Sequence, residues 1–227
     1  MLWPAIARII GMSRLAKGLA SLDLKGCELA TMTRLSRDYF ARDTLIVARD
    51  LLGQRLVRVL DGARLSGRIV EVEAYVGEED QACHARFGRT ERNAPMYGPP
   101  GHAYVYFVYG MHHCLNVVTG REGYPAAVLI RALEPLEGIE GMRARRGGRP
   151  DAQLMSGPAR LCQALDVGRQ FDGADLCAPD ALLFLEEDAA IPADAVAASP
   201  RVGVRGDGVA LTVPWRLYVR DSRYVSR

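Results

Sequence analysis

The sequence predicts an α+β fold built as one compact domain, on three observations. Short β-rich runs with alternating apolar residues recur from residue 54 to residue 219. A few stretches with helix start and stop signals interrupt them. No composition shift marks a boundary at which the chain divides into two domains.

The elements follow in order. Asp43 or Thr44 caps a helix with Leu45, Ala48, Leu51 and Leu52 on one face, ended by Gly53. Residues 54–60 and 64–76 are strands joined at Asp61-Gly62, a hairpin dipeptide. An arginine-bearing loop runs from Gly77 to Pro100. Ala103–Tyr109 and His113–Thr119 are strands around Tyr109-Gly110-Met111-His112, and residues 126–133 form another. Pro135 opens a helix with Leu136, Ile139 and Met142 inward, and Ser156 caps a second, Pro158–Leu165. Residues 178–200, rich in Ala, Asp and Pro, form a surface excursion. Short strands at Arg201–Val204, Val209–Val213 and Arg216–Val219 finish the chain.

Composition narrows the function classes. The chain has 227 residues, 49% hydrophobic and 25% charged, with a net charge of +2. That balance suits a soluble globular protein and does not by itself announce nucleic acid. Lys17 and Lys25 are the only lysines, and every other basic residue is arginine. Arginine binds phosphate through planar bidentate contacts. Its excess over lysine also fits a GC-rich genome, which makes a bacterial cytoplasm the expected location. Five cysteines without a CxxC spacing predict free thiols in a reducing compartment. No apolar run reaches the roughly 18 residues of a membrane span, so no membrane partner is expected. Residues 1–34 are expected to be a poorly ordered extension, and 35–227 the folded domain.

Two places carry chemistry. In Ser66–Val76, alternation puts Val70, Val72, Ala74 and Val76 on a core face, and Ile69, Glu71, Glu73 and Tyr75 on the other. A carboxylate two residues from an aromatic ring suits a water-activating site beside a planar ligand; it equally suits a solvated sheet edge. An arginine such as Arg131 beside Glu73 would favour the carboxylate form. The second place is the aromatic hairpin, where Tyr104, Tyr106, Phe107 and Tyr109 crowd one strand. Tyr109 and Met111 fall at its tip, where apolar groups gain nothing from water. With arginine clusters at 86–92 and 143–149, the tip fits a wedge that parts base steps while arginines hold phosphates. Arg89, Arg92, Arg145 and Arg146 are the candidate phosphate contacts. Cys83-His84 and His112-His113-Cys114 invite a zinc reading, but adjacent strand residues face opposite ways. No metal and no cofactor are expected.

The chain from about Leu35 to Ser226 resembles the alkyladenine (3-methyladenine) DNA glycosylases. The matching stretches are Leu51–Gln54, Arg68–Tyr75, Tyr104–Met111, Leu129–Leu136, Ser156–Leu161 and Arg201–Val204. The resemblance implies a curved, mainly antiparallel sheet with flanking helices and a protruding hairpin that intercalates into DNA. It implies Glu73 as the general base, with Arg131 and the Val202 carbonyl positioning the attacking water. Tyr75, His84 and Tyr106 would flank a flipped base, and Asn116 would disfavour a 2-amino purine. Tyr109, with Met111 beside it, would fill the vacated stack. If the hairpin turn is Gly110–His112, Tyr106 lies opposite Asn116. The implied activity is a monofunctional glycosylase that takes alkylated or deaminated purines from duplex DNA and leaves an abasic site in base excision repair. No lysine of the family-like region is available for a Schiff-base step. The partner is double-stranded DNA with damaged purines, bound by a monomer. The alternative is a non-catalytic lesion-binding protein on the same scaffold. His112 and residues 1–34 depart from the family's pattern.

Overall fold

A computed structural model of the chain describes residues 33–226. The expected extension therefore falls almost wholly outside the described residues. Its last two residues, Thr33 and Arg34, already pair with the sheet edge: Glu187 N donates to Thr33 O at 2.8 Å, and Arg34 bridges Glu186.

Helices α1 (Arg37–Phe40) and α2 (Thr44–Leu51) come first. Asp43 caps α2, accepting from the amides of Leu45 and Ile46. The buried stripe is Thr44, Val47, Ala48 and Leu51. Leu45, expected inward, is 37% exposed. Next come β1 (Arg55–Leu60) and β2 (Ala63–Val76), joined by Asp61 and Gly62 at φ 51° and 76°. Two positive φ values match the twist of a two-residue hairpin loop.

β3 (Ala103–Val108), β4 (His112–Val118) and β5 (Ala126–Glu137) follow the arginine-bearing loop. Then come α3 (Ile139–Arg145), α4 (Asp151–Leu154) and α5 (Pro158–Leu165). β6 (Leu183–Glu186), β7 (Val196–Ser199), α6 (Gly208–Thr212) and β8 (Arg216–Val219) complete the described chain. The eight strands form one sheet in the order β3-β4-β5-β2-β1-β6, with β8 paired to β2 and β7. Every pairing is antiparallel. Among the described residues no helix is long and apolar enough to cross a membrane.

The alternation expected along β2 holds for only half of the strand. Irregular pairing with β5 at Ile69/Glu71 and Glu71/Val72 reverses the faces there. Before it Leu65 and Ile69 enter the main core; after it Val72 and Ala74 do. Ile69 therefore does not share the face of Glu71, and Val70 lines a separate cleft with Arg68 and Glu134.

Five further expectations are corrected. Pro135 does not open a helix; it sits in β5 opposite Gly67, beside another register shift. β4 pairs no further along β5 than Leu129, so a residue without an N–H is tolerated there. Gly157, not Ser156, occupies the N-cap of α5, while Ser156 Oγ accepts from Arg160 at 2.9 Å. Residues 178–200 are no mere excursion, because β6 within them is buried and pairs with β1. Residues 201–204 form no strand, and 208–212 are helical because Asp207 caps the Ala210 amide.

The main core gathers Val105, Leu115, Val128 and Ile130 with α2 and α5 residues such as Val47 and Leu161. Their neighbours Tyr104, Ala127 and Val118 join a smaller cluster with Cys83, Ala85 and Met96 from the arginine-bearing loop. Period-two alternation thus assigns the sheet's second face to that loop.

Candidate active site

The sheet register lines up Glu73, Leu129, Asn116 and Tyr104 as successive partners across β2, β5, β4 and β3. All four open on one cavity of about 620 Å³. The loop after β2 contributes His84 and Arg86, and the segment before α6 contributes Val202 to Arg205. Tyr75, Tyr106, Tyr109, Cys114 and Arg131 complete its chemistry.

Glu73 is fully buried, and three donors satisfy its carboxylate. Val202 N donates to Oε1 at 2.7 Å and Tyr75 OH to Oε2 at 2.8 Å. Arg131 Nη1 lies 3.1 Å from Oε1. A buried charge needs such partners to remain charged. Burial and the adjacent Glu73 charge push the Tyr75 hydroxyl well above its usual range, so it stays a donor at neutral pH.

Val202 is held in place by its neighbour. The Arg201 guanidinium, fully buried, pairs twice with Asp80, at 2.5 and 2.8 Å, and also donates to Ala74 O and Ala210 O. Glu71, also fully buried, accepts from Arg131 Nε at 2.8 Å and Arg216 Nε at 2.7 Å.

His84 stands edge-on to Tyr104 and Tyr106, and its Nδ1 is 2.9 Å from Tyr104 OH. Although part of the residue stays exposed, lost hydration against the aromatic rings, then the charges of Arg92 and Arg86, push its imidazole down to about 4. A neutral ring is therefore expected across pH 5–8. An NMR titration should show a midpoint near 4, and a midpoint at 6 or above would refute it.

The hairpin turn is Tyr109–Met111, one residue earlier than the register that would face Tyr106 to Asn116. Tyr104 stands opposite Asn116, and Tyr106 opposite Cys114. Asn116 is fixed by donating from Nδ2 to Tyr104 O at 3.0 Å. Both Tyr106 and Asn116 still reach the cavity. At the tip Tyr109 is 87% exposed and Met111 69%. Tyr109 also holds φ 52°, a conformation that disfavours a bulky residue by about 1 kcal/mol or more.

Comparison with known proteins decides the family. A model described as methylpurine-DNA glycosylase matches residues 38–223. The chain belongs to the methylpurine-DNA glycosylase family. A relative in Methanocella arvoryzae is 51% identical over 197 residues, covering 86% of this chain and 97% of its own. One in Streptomyces avermitilis is 50% identical over 196 residues, with coverage of 86% and 91%. Another in Myxococcus xanthus is 47% identical over 196 residues, with 86% and 95%. All three carry the provisional name 3-methyladenine DNA glycosylase. Membership makes the chain a DNA glycosylase, a hydrolase of N-glycosyl bonds that serves DNA repair.

In this glycosylase Glu73, Arg131, Val202, Tyr75, His84, Tyr106 and Asn116 converge on one cavity, with Tyr109 at its rim. Val202 meets Glu73 through its amide. Arg89 and Arg92 are exposed, Arg92 lying 5.8 Å over the Tyr106 ring. Arg145 and Arg146 are elsewhere. Arg145 Nε donates to Ala164 O, and Arg146 bonds Leu154 O and Gln163. These bonds fasten α3 to α4 and α5, so neither side chain lines the cavity, whereas Arg86 and Arg205 do. His113 stacks on Phe107 while Cys114 lines the cavity, and among the described residues no three His, Cys, Asp or Glu cluster as metal ligands. Sequence reasoning missed Tyr104, Cys114, Asp80 and Arg201. Alternation within β3 and β4 points to the first two. No local pattern pairs Asp80 with Arg201, which are 121 residues apart.

Proposed function

We propose that this enzyme draws an alkylated or deaminated purine out of duplex DNA into the Glu73 cavity and hydrolyses its N-glycosyl bond. The carrying observation is a buried carboxylate, held by three donors, at the edge of a cavity walled by Tyr75, Tyr106 and His84. Glu73 takes a proton from a water aimed at C1′, and its charge stabilises the developing cationic sugar. Alkylation at N3 or N7 makes the purine cationic and weakens its bond, while a neutral lesion such as hypoxanthine needs protonation to leave. The aromatic walls stack on the extruded base. Asn116, locked to Tyr104 O, crowds a purine with a 2-amino group.

All of these side chains come from one chain, so a monomer suffices. Arg86, Arg89, Arg92 and Arg205 are the proposed phosphate contacts. Residues 33–226 contain no lysine, so no lysine amine there can form a Schiff base. The proposed product is an abasic site on an unbroken strand.

The test is incubation with duplexes carrying 3-methyladenine, 7-methylguanine, hypoxanthine or ethenoadenine, split into samples with and without alkali. Base release with strand breaks only after alkali is expected. Breaks without alkali, or adducts trapped by borohydride, would remove the monofunctional assignment; no release from any lesion would remove the hydrolytic one. Tyr109→Ala should weaken lesion-duplex binding about 10- to 100-fold, the worth of one stacked aromatic. A competition binding assay checks this, and unchanged affinity would take Tyr109 out of the stack.

A further inference from the structure

Arg131 is pinned on every side of its guanidinium. Nε donates to Glu71 Oε1 at 2.8 Å, Nη2 to Ser226 Oγ at 3.3 Å, and Nη1 faces Glu73 Oε1 at 3.1 Å. Only the last of these partners lines the cavity. The other two set the plane and rotation of the group, because a guanidinium is rigid and its N–H directions are fixed relative to one another.

Those two partners are themselves locked. Glu71 Oε2 accepts from the Ser226 amide at 2.6 Å, and Oε1 from the Ser226 hydroxyl at 2.7 Å and from Arg216 Nε at 2.7 Å. The Ser226 hydroxyl thus donates to Glu71 while accepting from Arg131, filling both of its roles at once. Arg216 and Glu73 are cross-strand partners between β8 and β2. The result is an alternating row, half-buried Arg216 and then buried Glu71, Arg131 and Glu73, of two formal positive and two formal negative charges. Burial pushes the Glu71 carboxyl up, but Arg131, the Ser226 amide and Arg216 outweigh it and hold it below the usual carboxylate range. Glu71 is therefore ionised at neutral pH, held by four donors and outside the cavity lining, so it has neither a proton to give nor access to the substrate.

We propose that Glu71 and Ser226 are positioning residues for base release, holding Arg131 so that its Nη1 meets the Glu73 carboxylate in the geometry that orients the attacking water. This proposal rests on Glu73 acting as the hydrolytic base. It makes a residue 155 positions away in sequence from Glu71 part of the catalytic apparatus without touching DNA.

The test compares Ser226→Ala, Ser226→Thr and Glu71→Gln with the parent enzyme. Each is measured for single-turnover base release, lesion-duplex Kd and melting temperature. Ser226→Ala should slow base release about tenfold and Glu71→Gln about a hundredfold, as small misplacements of reacting groups do. Kd should stay within about twofold, since neither side chain lines the cavity or reaches DNA. Ser226→Thr keeps the hydroxyl and should restore the rate to within about twofold. A purely structural network would lose rate and affinity in parallel with melting temperature, and that pattern overturns the proposal. Wild-type rates in Ser226→Ala, the milder variant, overturn it as well. Glu73→Gln run alongside separates the two levels. If it retains wild-type release, the role of Glu73 fails; if it alone loses release, only the positioning role of Glu71 and Ser226 fails.

Discussion

Glu73→Gln should lower single-turnover base release by about 10²- to 10⁴-fold, the usual worth of a positioned general base. Lesion binding should survive. The reason lies in which partner can adapt. Val202 N and Arg131 Nη1 both address Oε1, and both can only donate. Tyr75 OH addresses Oε2, and a hydroxyl can turn and accept. A glutamine with its carbonyl in the Oε1 position and its amide toward Tyr75 keeps Val202 N and Arg131 Nη1 paired and gives one amide N–H an acceptor. The variant should therefore fold and keep its cavity while losing the negative charge beside C1′. A rate within tenfold of wild type would refute the assignment of Glu73 as base. Weakened lesion binding, matched by a fall in melting temperature, would show that glutamine disturbs the cavity and contradict the adaptable Tyr75 contact.

Asp80→Ala should be the most destabilising single change among these, by about 3–5 kcal/mol, because it strands a buried charge. The Arg201 side chain is 0% exposed and that of Asp80 1%, so water cannot replace the lost carboxylate. Asp80 also accepts from the amides of Val76 and Ala82, which tie the end of β2 to the loop that carries His84. For a domain of this size the melting temperature should fall by about 10 °C. Base release should fall too, because Arg201 holds Val202 where its amide meets Glu73. Calorimetry and a release assay check both. A melting temperature within 2 °C of wild type would show that Arg201 finds another partner or reaches solvent. Replacing both residues with apolar ones of similar volume should cost less than Asp80→Ala alone, since no charge is then left unpaired.

What was legible in the sequence was local. The Asp61-Gly62 turn, the Asp43 cap and Pro158 at the start of α5 each act within a few residues, and each formed as expected. Errors came where a distant neighbour overrode a local pattern. Val209-Ala210-Leu211-Thr212-Val213 alternates like a strand, yet the Asp207 cap makes it helical. Pro135 looked like a helix start because its lone ladder neighbour, near a register shift, cannot be seen in one segment. The 143–149 arginines resembled a phosphate patch, but Arg145 and Arg146 are occupied by carbonyls of α4 and α5.

The sequence by itself determined the α+β class, the hairpin with its aromatic tip, and the family whose motifs run through most of the chain. Those depend on residue type, spacing and order, which a linear chain displays. Only the tertiary structure decided that Glu71 and Glu73 sit in different surroundings. The irregular pairing in β2 points both away from the main core, and what then separates them is who arrives from elsewhere. Val202 and Tyr75 leave Glu73 facing the cavity, while Arg216 and Ser226 enclose Glu71 behind it. A carboxylate's role is set by the donors around it and its access to solvent, and three of those donors, Val202, Arg216 and Ser226, lie more than a hundred residues along the chain.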